Sequence, residues 1–139
     1  MTRKFVLLAI SMLLLSIGGT ALFFSTFVIK EKRIIPVDVI VADRVGFNLD
    51  PDAMHFGLLP RGGSGVRMVI INNSYSFPVD VVVKIYGNIT PWLDLQPSPP
   101  IILGPKSKLQ LNFTVSIPDN AKYGKYTGYI KILLKRRFK

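Results

Sequence analysis

His55 is the only imidazole in the chain, and Asp50 and Asp52 stand close by in Asn48-Leu49-Asp50-Pro51-Asp52. The first chemistry to weigh is therefore a histidine–carboxylate pair for acid–base work, or an oxygen-rich metal site. Aspartates flanking a proline have the composition of a capped loop, and a hard cation needs more ligands at defined spacing than these two supply. Gly62-Gly63-Ser64-Gly65 lacks the Gly-Lys-Ser/Thr ending of a phosphate loop and precedes an apolar alternating run, so it reads as a hairpin turn. No serine sits in a Gly-x-Ser-x-Gly elbow. The absence of cysteine removes disulfides, thiolate metal sites and cysteine nucleophiles together. These residues point to a non-catalytic protein with no cofactor, no resident metal and no small-molecule substrate.

Two other groups of residues carry chemistry of a different kind. Asn72-Asn73-Ser74, Asn88-Ile89-Thr90 and Asn112-Phe113-Thr114 are N-glycosylation sequons, so Asn72, Asn88 and Asn112 are candidate glycan acceptors in an exported chain. Asparagine, serine and threonine are also ordinary turn and strand-surface residues, and Pro91 follows the second sequon directly. The charge is the second group. Beyond residue 29 the chain holds 16 basic and 8 acidic side chains, with Lys131, Lys135, Arg136, Arg137 and Lys139 packed into the last nine positions. Such a run can neutralise nucleic-acid phosphate, with Tyr123, Tyr126, Tyr129 and Phe138 as stacking partners. It can equally meet anionic lipid headgroups or an acidic protein surface, or simply solvate the terminus. Tyr126 falls on an inward strand face and no nucleic-acid motif is present, so nucleic acid is the disfavoured partner.

The elements that must hold these groups follow from hydropathy. Of the 139 residues, 49% are hydrophobic, and the excess is concentrated from Phe5 to Ile29, 25 residues without a charge. As a helix this run is about 37 Å long, enough to cross a ~30 Å hydrocarbon core. Arg3 and Lys4 precede it, and Gly19-Thr20-Ala21 resembles a signal cleavage site. The apolar run nevertheless continues past that site, as in an uncleaved anchor. Arg3 and Lys4 on one side nearly balance Lys30, Lys32 and Arg33 on the other, so the positive-inside rule does not orient the helix. The short basic start and the sequons favour an outward-facing domain.

After residue 34 the pattern becomes short runs broken by glycine, proline, asparagine and aspartate. The strand candidates are 35–42, 55–58, 66–72, 79–86, 92–95, 101–103, 108–117 and 126–134. Leu109, Leu111, Phe113, Val115 and Ile117 alternate with polar residues, giving one buried face and one wet face. The expected organisation is a basic tail (1–4), a transmembrane helix (5–29), a juxtamembrane linker (30–34), an immunoglobulin-like antiparallel β-sandwich of about seven strands (35–134) and a basic C-terminal tail (135–139). The termini of such a sandwich are expected at opposite ends, with the basic tail pointing away from the bilayer.

The order of residues adds a resemblance. His55-Phe56-Gly57-Leu58-Leu59, then Gly65, Arg67 and Asn72-Asn73, resembles the opening of major-sperm-protein-like domains. Trp92-Leu93, Leu103-Gly104-Pro105-Lys106 and the run from Ile117-Pro118-Asp119-Asn120-Ala121 through Tyr123-Gly124, Tyr126, Gly128 and Ile130 resemble the ending of NPCBM-associated NEW-type immunoglobulin-like domains of prokaryotic surface and secreted proteins. Together they cover about residues 54–134. The resemblance implies a seven-stranded sandwich serving as an accessory or adhesive module, with no catalytic residues to carry over. The functional expectation is an anchored, extracytoplasmic binding or structural subunit working with other membrane or envelope proteins. Its rival is a cytoplasm-facing basic module that binds nucleic acid or another anionic surface.

Overall fold

A computed structural model of the protein describes residues 2–46 and 53–138. The apolar run forms helix α1 (Thr2–Phe23), widened into a π-helical turn over Phe24–Val28. Residues Arg3–Val28 together are long and apolar enough to cross a membrane, and none of that span is buried in the protein. Lys30 Nζ donates to the carbonyl of Thr26 at 2.8 Å, so a lysine satisfies one of the carbonyls that every helix C-terminus leaves unpaired.

Strand begins immediately. Eight strands follow: β1 (Ile29–Val41), β2 (Met54–Leu59), β3 (Ser64–Asn72), β4 (Val79–Gly87), β5 (Leu93–Gln96), β6 (Ile101–Leu103), β7 (Lys108–Ser116) and β8 (Gly124–Arg136). They form two sheets, β2-β1-β8-β4-β6 and β3-β7-β5. The all-β sandwich behind one N-terminal helix is therefore as the patterning requires. The inward rows are those that alternation picks out: Val37, Val39 and Val41 on β1, Leu111, Phe113 and Val115 on β7, and Ile130, Ile132 and Leu134 on β8 are all buried.

Several expectations are corrected. The stretch 30–34 is not a free linker, because it belongs to β1 and pairs with β8, and Lys135 and Arg136 belong to β8 rather than to a tail. The sandwich is not wholly antiparallel. β1 and β2 run parallel, which the intervening residues 42–53 permit, since a parallel pair needs a crossover of about a dozen residues. The glycine-rich turn is not a hairpin either: β2 and β3 lie in different sheets, so Arg61–Gly63 form an arch between layers, with Gly62 at φ 70°.

The largest correction concerns the termini. β1 and β8 are antiparallel over their full length, from Ile29 opposite Lys135 to Val41 opposite Gly124. The C-terminal end of the chain therefore returns to the level at which the helix ends, and the two termini share one end of the sandwich. The end bearing the helix is called the proximal end below, and the other the distal end.

Two packing details hold this arrangement. Gly87 and Gly128 face each other across β4 and β8. A Cβ on Gly128 would overlap the carbonyl oxygen of Tyr86 and come within 2.9 Å of Ile89 Cγ2. Asn73 is the one buried polar residue of the described chain. Its Nδ2 donates to the carbonyls of Phe77 (2.9 Å) and Gly104 (2.8 Å), and its Oδ1 accepts from the backbone N–H of Tyr75 (3.1 Å), which ties the β3–β4 and β6–β7 connections together. Replacing Asn73 by alanine leaves those carbonyls buried without a donor and should lower stability by roughly 2–4 kcal/mol. Denaturant unfolding of the detergent-solubilised protein measures this, and a loss under about 0.5 kcal/mol, the size of an ordinary surface substitution, would contradict it.

Candidate functional site

His55 lies on β2, and the parallel register places Asp38 of β1 directly beside it. His55 Nδ1 is 2.6 Å from Asp38 Oδ1, and Lys125 Nζ from β8 is 2.9 Å from Asp38 Oδ2. Burial raises the Asp38 pKa, but the hydrogen bonds and charges of His55 and Lys125 outweigh burial and hold the carboxyl below its ordinary value of 3.8. Arg67 Nε of β3 donates to the His55 carbonyl at 2.7 Å, so the same point is also tied to the other sheet. The cluster thus fastens β1, β2, β3 and β8 to one another. Asp50 and Asp52, weighed as partners of His55 and read as loop caps, lie outside the described residues. Among the described residues no group of three or more histidine, cysteine, aspartate or glutamate side chains is placed to hold a metal ion.

The aromatic residues weighed as base-stacking partners do not form one platform. Tyr126 faces inward with its ring centroid 4.1 Å from that of Trp92, which packs against the core as expected for that residue. Tyr129 stacks on Tyr86 on the outer face of the larger sheet. Tyr123 lies at the distal end under the Arg61 guanidinium, and Phe138 lies at the proximal end.

The candidate glycan acceptors are dispersed. Asn72 is exposed at the end of β3. Asn112 is half-buried on the outer face of β7, where its Oδ1 accepts from Gln110 Nε2 at 2.8 Å. Asn88 is exposed in the turn after β4, and its Oδ1 accepts the Thr127 backbone N–H at 2.7 Å.

The surface best built for binding is the flank where the two sheets part, between edge strands β2 and β3. One hollow there is lined by Phe56, Leu59, Pro60 and Val66, and a second by Ile35, Met54, Met68 and Val69; Arg67 lines both. Beside them Val66, Met68 and Ile70 project outward from β3 and are 56%, 66% and 62% exposed. Among the four edge strands, β5 and β6 have four and three residues, and the β2 pairing with β1 is broken by a register shift. β3 instead pairs with β7 in unbroken register over nine residues, contains no proline and carries one charge, Arg67. Short, bulged or charged edges resist strand addition, and β3 has the least of this protection. The sequence marked residues 66–72 as a strand, but outward apolar residues on a strand whose second flank is open become legible only once sheet order is known.

Asp38→Asn should cost about 1–3 kcal/mol near neutral pH, because the lysine and histidine lose a charged acceptor. Asp38 has a depressed folded-state pKa, so its contribution is full above pH 3.8 and lost as pH falls through the lower folded value. The gap between wild type and variant should therefore close in strong acid. Thermal unfolding across that range tests this, and a gap independent of pH would contradict it.

Compared with protein-family models, curated proteins and solved structures, the chain matches none.

Proposed function

We propose that the protein is a non-catalytic, membrane-anchored module whose sandwich stands outside the cytoplasm and binds another membrane or envelope protein along the β3 edge. The observation that carries this reading is the exposed row Val66, Met68 and Ile70 on a long edge strand beside an open seam. An extended segment of a partner could continue the smaller sheet with backbone hydrogen bonds and place its own side chains against that row. A lone surface leucine or valine is ordinary, but a contiguous apolar row on an unprotected edge is a feature of interaction sites. The accessory role implied by the resemblance to NEW-type domains agrees with this. The outward orientation is supported by the three sequons, all on the surface of the sandwich and none on an inward core row.

Two measurements test the proposal. Protease added to sealed cells should digest the sandwich and leave the anchor, with glycan mass on Asn72 or Asn112; protection released only by detergent would overturn the orientation. A photo-crosslinking residue at Met68 should yield a discrete adduct with a membrane or envelope protein. The same probe at Tyr129, on the opposite outer face, should not. Equal labelling from both positions, or none from either, would contradict binding at β3.

A further inference from the structure

The charge of the sandwich is not evenly spread. The distal end sets four cations, Arg44, Arg61, Lys122 and Lys125, against Asp38, Asp43 and Asp119 among the described residues: Lys125 pairs with Asp38, and Arg61 lies over the ring of Tyr123, whose hydroxyl donates to Asp43. The proximal end differs. Antiparallel pairing brings Lys30 and Lys32 of β1 level with Lys135 and Arg136 at the end of β8, and the Arg137 backbone N–H donates to the carbonyl of Pro78, just before β4. Lys106 joins them from the β6–β7 turn, where its Nζ donates to the carbonyl of Ser74. Among the described residues two acidic side chains are placed there, Glu31 bonded to Arg33 and Asp80 bonded to Arg137.

Aromatic rings lie among these cations. Tyr75 stacks on Phe77 with centroids 5.1 Å apart, and its hydroxyl donates to the Lys30 carbonyl at 3.3 Å, against the last turn before the strand. The Arg136 guanidinium sits between Phe77 (4.5 Å) and Phe138 (5.4 Å), and Phe138 is 57% exposed. Lys30 lies over Phe27 of the helical turn. Exposed cations interleaved with aromatic rings at the level where an apolar helix ends have the chemistry of the membrane interface: rings settle at headgroup depth and cations attract anionic phosphate.

We infer that the proximal end of the sandwich is a docking surface for anionic lipid headgroups, built from the start of β1, the end of β8 and the two proximal turns, and that it seats the domain upright on the bilayer. The inference rests on the helix spanning the membrane, and holds for whichever leaflet the domain adjoins. Continuity with the anchor selects lipid as the occupant. With no linker between helix and strand, these side chains lie within about one Debye length of the headgroups, where each cation is most effective. Docking leaves the β3 edge facing sideways, available to a partner in the same membrane.

The chain has no cysteine, so Ser76→Cys, in the exposed proximal turn beside Tyr75, accepts a single nitroxide label. Full-length protein is reconstituted in phosphatidylcholine vesicles with or without phosphatidylglycerol. Material that floats with vesicles at alkaline pH is selected first, so failure to insert, which would defeat the spanning reading, is separated from failure to dock. Phosphatidylglycerol should lower collisions of the label with a water-soluble nickel complex several-fold, and high salt should restore them. The same label at Lys122→Cys, near the distal end, should not respond. Lys32→Gln combined with Lys106→Gln, two exposed positions away from the core, should weaken the lipid response while leaving the thermal transition unchanged. Adding Lys135→Gln and Arg137→Gln should remove it. An identical response in both vesicle types, or one that persists in the variants, would overturn the inference. Protection of the label by an added oligonucleotide in phosphatidylcholine vesicles, with none from phosphatidylglycerol, would overturn it in favour of nucleic acid.

Discussion

The pairing of β1 with β8 is the constraint on which the rest of the structure depends. Both strands have thirteen residues and are hydrogen-bonded to each other over nearly all of them, and both lie inside the larger sheet rather than at its edge. An apolar helix that ends one residue before such a strand cannot swing on a flexible tether. The backbone groups of residues 29–34 that point toward β8 are hydrogen-bonded to it, and releasing them into water would also expose the row that begins with the partly buried Ile35 and continues through Val37. The helix is therefore joined to the sandwich by paired strand with no intervening linker.

From this pairing the distribution of chemistry follows. Antiparallel strands place the end of the last strand beside the start of the first, so the basic C-terminal residues join those of β1 instead of standing free. Near the distal end Lys125 is paired with Asp38, while the proximal end gathers the larger excess of cations. The parallel β1–β2 pair opposes Asp38 to His55, which ties the chain's one imidazole into a cluster joining β1, β2, β3 and β8. It also leaves β2 short and irregular as the outer edge, so the long regular edge on that flank is β3. If the helix spans a bilayer as proposed, this edge faces sideways, toward contacts within the plane of that membrane.

Much of the fold was legible in the residues because alternation reports burial directly. The polar–apolar order of residues 108–117 could only be a half-buried strand, and a charge-free run from Phe5 to Ile29 could only be a helix if it lies in lipid. Register and sheet order were not legible, because they are set by which strands meet rather than by the pattern within any one. That is why Asp50 and Asp52, near in sequence, were weighed as partners of His55, whereas Asp38, 17 residues away, is the partner. The same blindness put the basic tail at the wrong end. Residues 30–34 read as a juxtamembrane linker because charged residues obscure strand alternation, although Glu31 through Ile35 pair with Leu134 through Ile130. The buried Asn73 was hidden inside a sequon, where its neighbour Asn72 drew attention as the glycan acceptor.

The central claim is that the C-terminal end of β8 returns to the level at which the helix ends and β1 begins, and a cross-strand trap tests it most directly. Ile29→Cys with Lys135→Cys, in the full chain inserted in vesicles, places cysteines on residues paired in the β1–β8 register, and the absence of native cysteine keeps the readout clean. Mild oxidation should close an intrachain disulfide there, and none for Ile29→Cys with Thr127→Cys, whose partners lie far apart along β1. Failure of the first pair to close, or equal closure of both, would show that the termini do not share one end and would contradict the account.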